Sequence, residues 1–223
     1  MASPVELRFE ATPAKGDASA LLLRPDNASH LLVLGHGAGS TMRHATLETI
    51  AQRLADVGIA TFRYNFPYSE NGGARDSTAT CVATVHAAVA AAQRAAPDLP
   101  LLAGGHSFGG RMTSTAASEA PLPGVRGLVF FSFPLHPPGR PGTTRADHLS
   151  AVNLPLLFLS GTRDEFAGLD LLQPVCRQLN QATLRLLDTA DHGYRTLKRT
   201  RQSQEDVFVE MARLMREWAD ASA

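Results

Sequence analysis

The sequence lacks several features that define whole classes of protein. It has only two cysteines, Cys81 and Cys176, too few for a disulfide framework or a cysteine-based metal site. No segment approaches the roughly 18 consecutive apolar residues that span a bilayer. The amino terminus shows no cationic segment followed by an apolar stretch, so we expect no secretory signal. These absences predict a cytoplasmic protein that is not inserted in a membrane.

An excess of charge of either sign is also missing. The 21 lysines and arginines are balanced by 21 aspartates and glutamates. Proteins that bind phosphate backbones or anionic membrane surfaces concentrate positive charge on one face, so we expect no nucleic-acid partner and no membrane partner. The histidines His30, His44, His86 and His148 are dispersed along the chain without the spacing of metal ligands, so no metal is expected either.

What the sequence does contain is a regular alternation of short apolar runs with longer segments of helical periodicity. The runs of strand length are Val5 to Phe9, Ala20 to Leu23, Leu31 to Leu34, Ile59 to Tyr64, Leu101 to Ala103, Leu128 to Phe133, Leu156 to Leu159 and Leu184 to Leu187. The helical segments are about 44–57, 77–96, 108–119, 169–180 and 204–219. Several runs are continuously apolar, which is typical of strands buried on both faces of a parallel sheet.

This alternation predicts a single α/β domain over residues 1–223. We expect an eight-stranded, mostly parallel sheet flanked by helices. The first two runs are separated by too few residues for a crossover helix, so they should form an antiparallel edge of the sheet.

Gly105-His106-Ser107-Phe108-Gly109 matches the pattern G-x-S-x-G, which presents a serine on a sharp turn between a strand and a helix. The apolar run 101–104 precedes the motif and the helical segment 111–120 follows it, as that geometry requires. The glycines on either side allow the strand and the helix to approach each other without a Cβ clash. We predict that Ser107 is a nucleophile; the alternative is a glycine-rich turn with an incidental serine.

A serine hydroxyl needs a base, and the base needs a carboxylate that orients it. Asp164 follows the seventh apolar run and His192 follows the eighth, in the order serine, acid, histidine. We therefore predict His192 as the general base and then acid, and Asp164 as the residue that orients it. Glu165 and Asp191 are rival acids, although Asp191 is adjacent to the histidine and is poorly placed to reach its ring. Alternatively, His192 is a surface histidine and Asp164 a turn aspartate.

The third apolar run is followed by a glycine-rich loop, residues 35–40, with the sequence GHGAGS. Backbone N–H groups of such a loop and of the residue after the nucleophile can stabilise an oxyanion. We predict Ala38 and Phe108 as these two donors. A phosphate-binding loop is the alternative, but the segment lacks the Lys-Ser/Thr of a P-loop and does not match G-x-G-x-x-G.

Other residues near these motifs are candidates for the substrate pocket. His36 and Gly37 belong to the glycine-rich loop, where His36 is expected to fix the loop by hydrogen bonding rather than to transfer protons. His106 and His136 lie beside the nucleophile and after the sixth run. No motif for an organic cofactor is present, so none is expected.

Several of these segments resemble a group of small hydrolases. They are LGHGAGSTMRH (34–44), FRYNFPY (62–68), GGHSFGGRM (104–112), FPLHPPGRP (133–141), HL (148–149), LSGTRDEF (159–166) and ADHGY (190–194). The chain is similar to dienelactone-hydrolase-like predicted hydrolases of the α/β-hydrolase fold. That group is related to a testis-expressed animal protein and to the hydrolase-like subunit of the NSL histone acetyltransferase complex.

The resemblance implies a serine hydrolase with the triad placed as above, and it implies that Tyr68 borders the site. It covers about residues 30–195, and the group contains both enzymes and scaffold subunits. We expect a hydrolase of a small-molecule carboxylic ester or thioester; amide cleavage and acyl transfer use the same residues. The alternative is a catalytically silent interaction module. A homo-oligomer is compatible with the sequence, which carries no signal for or against it.

Many hydrolases of this fold carry a lid domain inserted after the sixth strand. Here only about 20 residues, Pro134 to Asn153, separate the sixth run from the seventh. The chain therefore has no room for a lid domain, and we predict an uncapped site with the proline-rich segment 134–141 as a stiff rim. Because the net charge is zero, any charge preference must arise close to Ser107.

Overall fold

The computed structural model describes residues 3–221, and its strands form one eight-stranded sheet. The strands are β1 (Val5–Thr12), β2 (Gly16–Leu23), β3 (His30–Gly35), β4 (Ile59–Tyr64), β5 (Leu101–His106), β6 (Val125–Phe131), β7 (Leu156–Gly161) and β8 (Ala182–Leu187). Their order across the sheet is β1-β2-β4-β3-β5-β6-β7-β8. β2 pairs antiparallel with β1 and β4, and the remaining pairs are parallel. The predicted sheet and its antiparallel edge are confirmed.

Helices cover both faces of this sheet. They are α1 (Ala45–Asp56), α2 (Pro67–Asn71), α3 (Thr78–Ala95), α4 (Phe108–Glu119), α5 (Leu169–Gln178), α6 (Val207–Ala221) and a 3₁₀ helix (Thr144–Ala151). The sequence pattern predicts five of them but neither α2 nor the 3₁₀ helix, because each is too short to show an apolar periodicity. Within residues 3–221, no helix has both the length and the apolar character needed to cross a membrane.

Several boundaries differ from the sequence expectation, and two of these differences have a clear local cause. β6 ends at Phe131 rather than at residue 133, because Ser132 turns the chain with a φ of 56°. α6 begins at Val207 rather than near 204. Its start follows Asp206, whose carboxylate accepts hydrogen bonds from two N–H groups of the first turn at 3.0 and 3.3 Å.

The core is divided into two layers by the sheet. Along β3, Leu31 and Val33 join the layer under α3, α4 and α5, whereas Leu32 and Leu34 join the layer under α1 and α6. This alternation follows from the period of two along a strand. Because both faces are covered, the central strands are apolar throughout, and ligand access is left to the loops at the strand ends.

Three backbone segments make their closest approach at glycines near the end of β3 and β5. A methyl group on Gly109, at the start of α4, would lie 2.4 Å from the carbonyl oxygen of Gly35. One on Gly105 would lie 2.6 Å from that same oxygen and 2.6 Å from the carbonyl carbon of Gly109. Real Cβ atoms do not come this close to backbone, so only glycine fits. The carboxyl ends of β3 and β5 are thereby held against the first turn of α4.

This packing leads to a stability prediction. Gly109→Ala should lower the free energy of unfolding by about 1–3 kcal/mol, because the methyl group forces the backbone of Gly35 and α4 apart. Gly142→Ala is the matched control, since its methyl group meets nothing within 4 Å and its φ is not positive. Urea unfolding monitored by circular dichroism measures both. Equal stabilities for the two variants would contradict the proposed close packing.

Candidate active site

Ser107 occupies a sharp turn between β5 and α4. Its backbone angles are φ 52° and ψ −112°, a left-handed conformation that costs a non-glycine residue roughly 1–3 kcal/mol. Hydrogen bonds hold it there: its N–H donates to the carbonyl of Phe131 at 2.9 Å, and its own carbonyl accepts the N–H of Arg111 at 3.1 Å. The turn projects the hydroxyl away from the sheet edge, as the glycine pattern predicts.

The three residues predicted as nucleophile, base and acid form one hydrogen-bonded chain. The Nε2 atom of His192 lies 2.9 Å from the Oγ atom of Ser107. Its Nδ1 atom lies 2.9 Å from each carboxylate oxygen of Asp164. A carboxylate only accepts, so Nδ1 carries the ring proton and Nε2 is free to accept the serine hydroxyl proton. This is the tautomer that a general base requires.

Asp164 is held rigidly beneath the imidazole. Its side chain is fully buried, and its Oδ1 atom also accepts the N–H of Phe166 at 2.9 Å. The ring of Phe166 packs on that of His192 with centroids 4.3 Å apart. Asp191, the rival acid, instead accepts the N–H groups of Gly193 and Arg195 at 2.9 and 2.8 Å. Asp164 alone of the candidate acids contacts the histidine ring.

The loop that carries His192 is anchored on both sides. Thr189 and Tyr194 bracket it with positive φ angles of 56° and 66°. The buried hydroxyl of Tyr194 donates to the carbonyl of Leu159 in β7 at 3.1 Å. His106 donates from Nε2 to the carbonyl of His192 at 3.0 Å, and desolvation lowers the pKa of His106 to about 4. A neutral His106 therefore holds the backbone of His192 in place.

His36 stabilises the glycine-rich loop after β3 from inside. Its ring is fully buried, Nδ1 lies 2.7 Å from the carbonyl of Gly37, and Nε2 accepts the N–H of Phe66 at 3.1 Å. A carbonyl cannot donate, so Nδ1 is the protonated nitrogen. Burial lowers the pKa of His36 to about 4, which keeps the ring neutral at physiological pH.

The segment 62–68 supports the same loop from the neighbouring strand. The side chain of Asn65 accepts the N–H of Met42 at 2.8 Å, and the guanidinium of Arg63 donates to the carbonyl of Met42 at 3.1 Å. The Tyr68 hydroxyl donates to the carbonyl of Ala38 at 2.9 Å. Tyr68, which the family resemblance places at the border of the site, thus contacts this loop, and its half-buried ring also lies 6.5 Å from that of Phe108.

Ala38 and Phe108 both have available backbone donors. Phe108 is the first residue of α4, where an N–H has no intrahelical acceptor. Within residues 3–221, neither the N–H of Phe108 nor that of Ala38 donates to any acceptor. The two residues share Tyr68 as a neighbour. Both N–H groups are free to bind a substrate oxygen.

A cleft of about 460 Å³ opens beside the histidine of the triad. Its lining residues are His44, Thr46, His106, Arg163, Glu165, Phe166, Asp191, His192, Gly193 and Arg195. Of the predicted pocket residues only His106 lines it. Sequence analysis missed the start of α1 and Phe166; the signal available for Phe166 was its place in the segment LSGTRDEF next to Asp164.

The other pocket candidates lie outside this cleft. His36 is buried in the loop support, and Gly37 packs against His106, whose Nδ1 lies 3.4 Å from the position of a Cβ. His136 is also buried, with Nδ1 2.9 Å from the carbonyl of Pro137. The rim segment 134–141 is therefore buried in its first half and exposed in its second.

A second serine–histidine contact links α4 to the 3₁₀ helix. The Oγ atom of Ser114 lies 2.7 Å from Nε2 of His148, but the serine hydroxyl donates to the carbonyl of Arg111. His148 must therefore donate to Ser114, the reverse of what activates a nucleophile. In the described part of the chain, no three histidine, cysteine or acidic side chains converge as a set that could hold a metal ion.

The comparison with known families agrees with this geometry. A family model described as an alpha/beta hydrolase domain matches residues 28–220. The chain belongs to the alpha/beta hydrolase family. The turn with Ser107, the loop with Asp164 and the loop with His192 lie at the carboxyl ends of β5, β7 and β8, where hydrolases of this fold carry their catalytic residues.

Solved structures of similar fold include several bacterial hydrolases. A dienelactone hydrolase from Anabaena variabilis is 18% identical, with a TM-score of 0.73 and 98% of each chain covered. A serine hydrolase without a lid from Xanthomonas campestris is 19% identical, with a TM-score of 0.74 over 98% of this chain and 94% of that one. Est1E from Butyrivibrio proteoclasticus is 15% identical, with a TM-score of 0.72 over 97% and 98%. At these identities the likeness shows the fold. The present chain also has no lid domain after β6, since only the 3₁₀ helix and loops lie between β6 and β7.

The buried, neutral state of His36 predicts acid sensitivity. Its pKa is lowered on folding, so the unfolded chain binds more protons and stability falls as the pH drops below about 6.5. Between pH 7.5 and 5.0 we expect a loss of roughly 2 kcal/mol in the free energy of unfolding from this residue. Urea unfolding of the wild type and of His36→Gln at both pH values measures it.

In this comparison, the other histidines contribute equally to both proteins, so the difference isolates His36. The variant is expected to be less stable at pH 7.5 but to lose less stability on acidification. An identical loss in both proteins would show that folding does not lower the pKa of His36, contrary to this prediction.

Proposed function

We propose that the protein is a serine hydrolase that cleaves a small carboxylic ester or thioester through an acyl-enzyme on Ser107. The observation that carries this proposal is the hydrogen-bonded chain from Asp164 through His192 to Ser107, with both links at 2.9 Å. The strained turn at Ser107 and the free N–H groups of Ala38 and Phe108 support it. Solved structures of similar fold include the esterase domain of a Rhodothermus marinus protein and a cold-adapted esterase from an Arctic metagenomic library, which agrees with this class of reaction.

In the first half of the reaction, Oγ of Ser107 attacks the carbonyl carbon and its proton passes to Nε2 of His192. The carbonyl electron pair moves to the oxygen, which the N–H groups of Ala38 and Phe108 bind. Asp164 stabilises the resulting imidazolium. When the tetrahedral intermediate collapses, His192 gives its proton to the departing alcohol or thiol, and the acyl group remains on Ser107.

The second half repeats these steps with water. His192 removes a proton from a water molecule, whose oxygen attacks the acyl carbon. The same two N–H groups bind the oxyanion, and collapse returns the proton to Oγ of Ser107. The products are a carboxylic acid and the regenerated serine. The cleft beside His192 is where the leaving group and then the water approach, because that ring must reach both.

Labelling with a fluorophosphonate probe tests the nucleophile. The wild type should be labelled at Ser107, and Ser107→Ala should abolish labelling because no activated hydroxyl remains. Ser114→Ala is the matched control, since Ser114 also contacts a histidine but donates its proton to a carbonyl. Gel fluorescence with peptide mapping measures the result.

In that experiment, circular dichroism establishes that each variant is folded. A folded wild type that shows no Ser107-dependent labelling and no esterase turnover would overturn the proposal. It would favour the alternative of an interaction module, the role of the scaffold subunits in the resembled group.

Asp164→Asn tests the orientation of the base. The amide cannot stabilise the imidazolium and favours the wrong tautomer, so kcat should fall on the order of 10³–10⁴ with little change in KM. Hydrolysis of 4-nitrophenyl acetate at pH 7.5 measures it. Glu165→Gln changes the neighbouring carboxylate, which does not contact His192, and should lower kcat by less than about tenfold. Equal losses in the two variants would contradict the role of Asp164.

A further inference from the structure

Two arginines lie over the ring of the residue that follows the nucleophile, and a third is close enough to act on them electrostatically. The guanidinium carbons of Arg75 and Arg111 lie 5.2 and 5.6 Å from the centroid of the Phe108 ring. Arg111 is on α4, Arg75 lies in the loop before α3, and Arg145 is in the 3₁₀ helix, where it donates to the carbonyl of His136 at 2.9 Å. Three separate elements therefore bring positive charge to one place.

None of these arginines is neutralised by a carboxylate of the described chain. The ion pairs among residues 3–221 involve other basic residues, and none includes Arg75, Arg111 or Arg145. Asp76, adjacent to Arg75, is already bound by Lys15 at 2.8 Å and by the N–H of Tyr68 at 2.8 Å. The nearest acid in sequence is thus occupied elsewhere.

The three arginines repel one another electrostatically, and partial burial together with this repulsion lowers the pKa values of Arg111 and Arg145. Partial burial and the neighbouring Arg145 and Arg75 lower the pKa of Arg111 below its usual value. Partial burial and Arg75 do the same for the pKa of Arg145. Like charges held this close raise the energy of the site, and a bound anion relieves that repulsion.

The cluster lies on one side of the nucleophile and the cleft lies on the other. Arg111 is one turn after Ser107 on α4, and helical side chains lean toward the amino-terminal end, which here is the nucleophile. α3 and α4 cover one face of the sheet. The start of α1, which lines the cleft beside His192, lies on the opposite face. A substrate bound across Ser107 therefore meets a cleft lined by both acidic and basic residues at one end and the three arginines at the other.

We propose that Arg75, Arg111 and Arg145 bind a carboxylate at the far end of the acyl group, so that the preferred substrates are half-esters or half-thioesters of dicarboxylic acids. The proposal rests on the proposed function, because it names the acyl group that Ser107 receives. The leaving group then occupies the cleft beside His192. Arginine suits this task because its planar guanidinium binds a carboxylate with two parallel hydrogen bonds.

The ring of Phe108 beneath the cluster restricts the positions of Arg75 and Arg111 before any anion binds. Phe108 is itself packed against Phe66, with centroids 5.5 Å apart, and against Tyr68. Arg75 and Arg111 stand over a ring that is fixed, so less freedom is lost when an anion binds. Arg145 is restrained by its bond to His136 on the rim segment.

A pair of esters that differ only at the far end of the acyl chain tests the proposal. Mono-4-nitrophenyl adipate carries a terminal carboxylate, and 4-nitrophenyl hexanoate has the same number of acyl carbons without one. We expect the wild type to show a kcat/KM at least tenfold higher for the adipate half-ester after correction for spontaneous hydrolysis. Because exposed Arg75 is screened by salt, this ratio should fall when NaCl is raised from 20 to 500 mM.

The double variant Arg75→Gln with Arg111→Gln should reduce that ratio at least tenfold, and Arg145→Gln should reduce it severalfold. Arg111→Lys should retain part of the preference because it keeps the charge. Arg126→Gln is the matched control, since this exposed arginine lies at the start of β6, at the other end of the strand. It should keep the wild-type ratio.

The two proposals fail in different ways. If the wild type hydrolyses neither ester and no Ser107-dependent labelling occurs, the proposed function fails. If it hydrolyses both but prefers hexanoate, or if its ratio is unaffected by all three arginine substitutions in folded variants, only the anionic subsite is overturned.

Discussion

The site depends on the contact of three backbone segments at Gly35, Gly105 and Gly109. Because no side chain separates them, the carboxyl ends of β3 and β5 lie directly against the first turn of α4. One contact thereby fixes both the turn that carries Ser107 and the loop that carries Ala38. A single added methyl group would move the nucleophile relative to the N–H groups proposed to bind the oxyanion, and displacements of about 1 Å are costly in catalysis.

Around this contact, two buried and neutral histidines hold the loops of the site in place. His36 and His106 have low pKa values because they are desolvated. His36 fixes a backbone carbonyl of its own loop, and His106 fixes one in the loop that carries His192. Neutral rings can stay in the interior without the energetic cost of a buried charge. Asp164 and Arg63 are buried and charged. The Nδ1–H of His192 and the N–H of Phe166 compensate the Asp164 carboxylate for the lost water, and Arg63 donates to the carbonyl of Met42.

The sheet and the proximity of Ser107, Asp164 and His192 can both be predicted from the sequence, because both follow from local sequence patterns. Apolar runs mark the strands, and in a parallel sheet the loops after β5, β7 and β8 meet at one edge. The arginine cluster has no such signal. Arg75, Arg111 and Arg145 belong to three different elements, and their convergence depends on how α3, α4 and the 3₁₀ helix pack. The cleft lining at the start of α1 escapes sequence analysis for the same reason.

Because the net charge of the chain is zero, any attraction of an anionic substrate must come from local groups such as this arginine cluster. Long-range steering of an anionic substrate is not expected from a chain of net charge zero, so the arginines act only over the screening length of about 10 Å. Within that range, Arg111 is half-buried and Arg75 is exposed, so salt weakens the contribution of Arg75 more. Without a lid to exclude water, the proposed specificity for the acyl group depends on direct contacts rather than on enclosure. The proposed selection of a substrate by charge in an uncapped site requires rigidly placed cations next to Ser107, and the ring of Phe108, the next residue, packs against two of them.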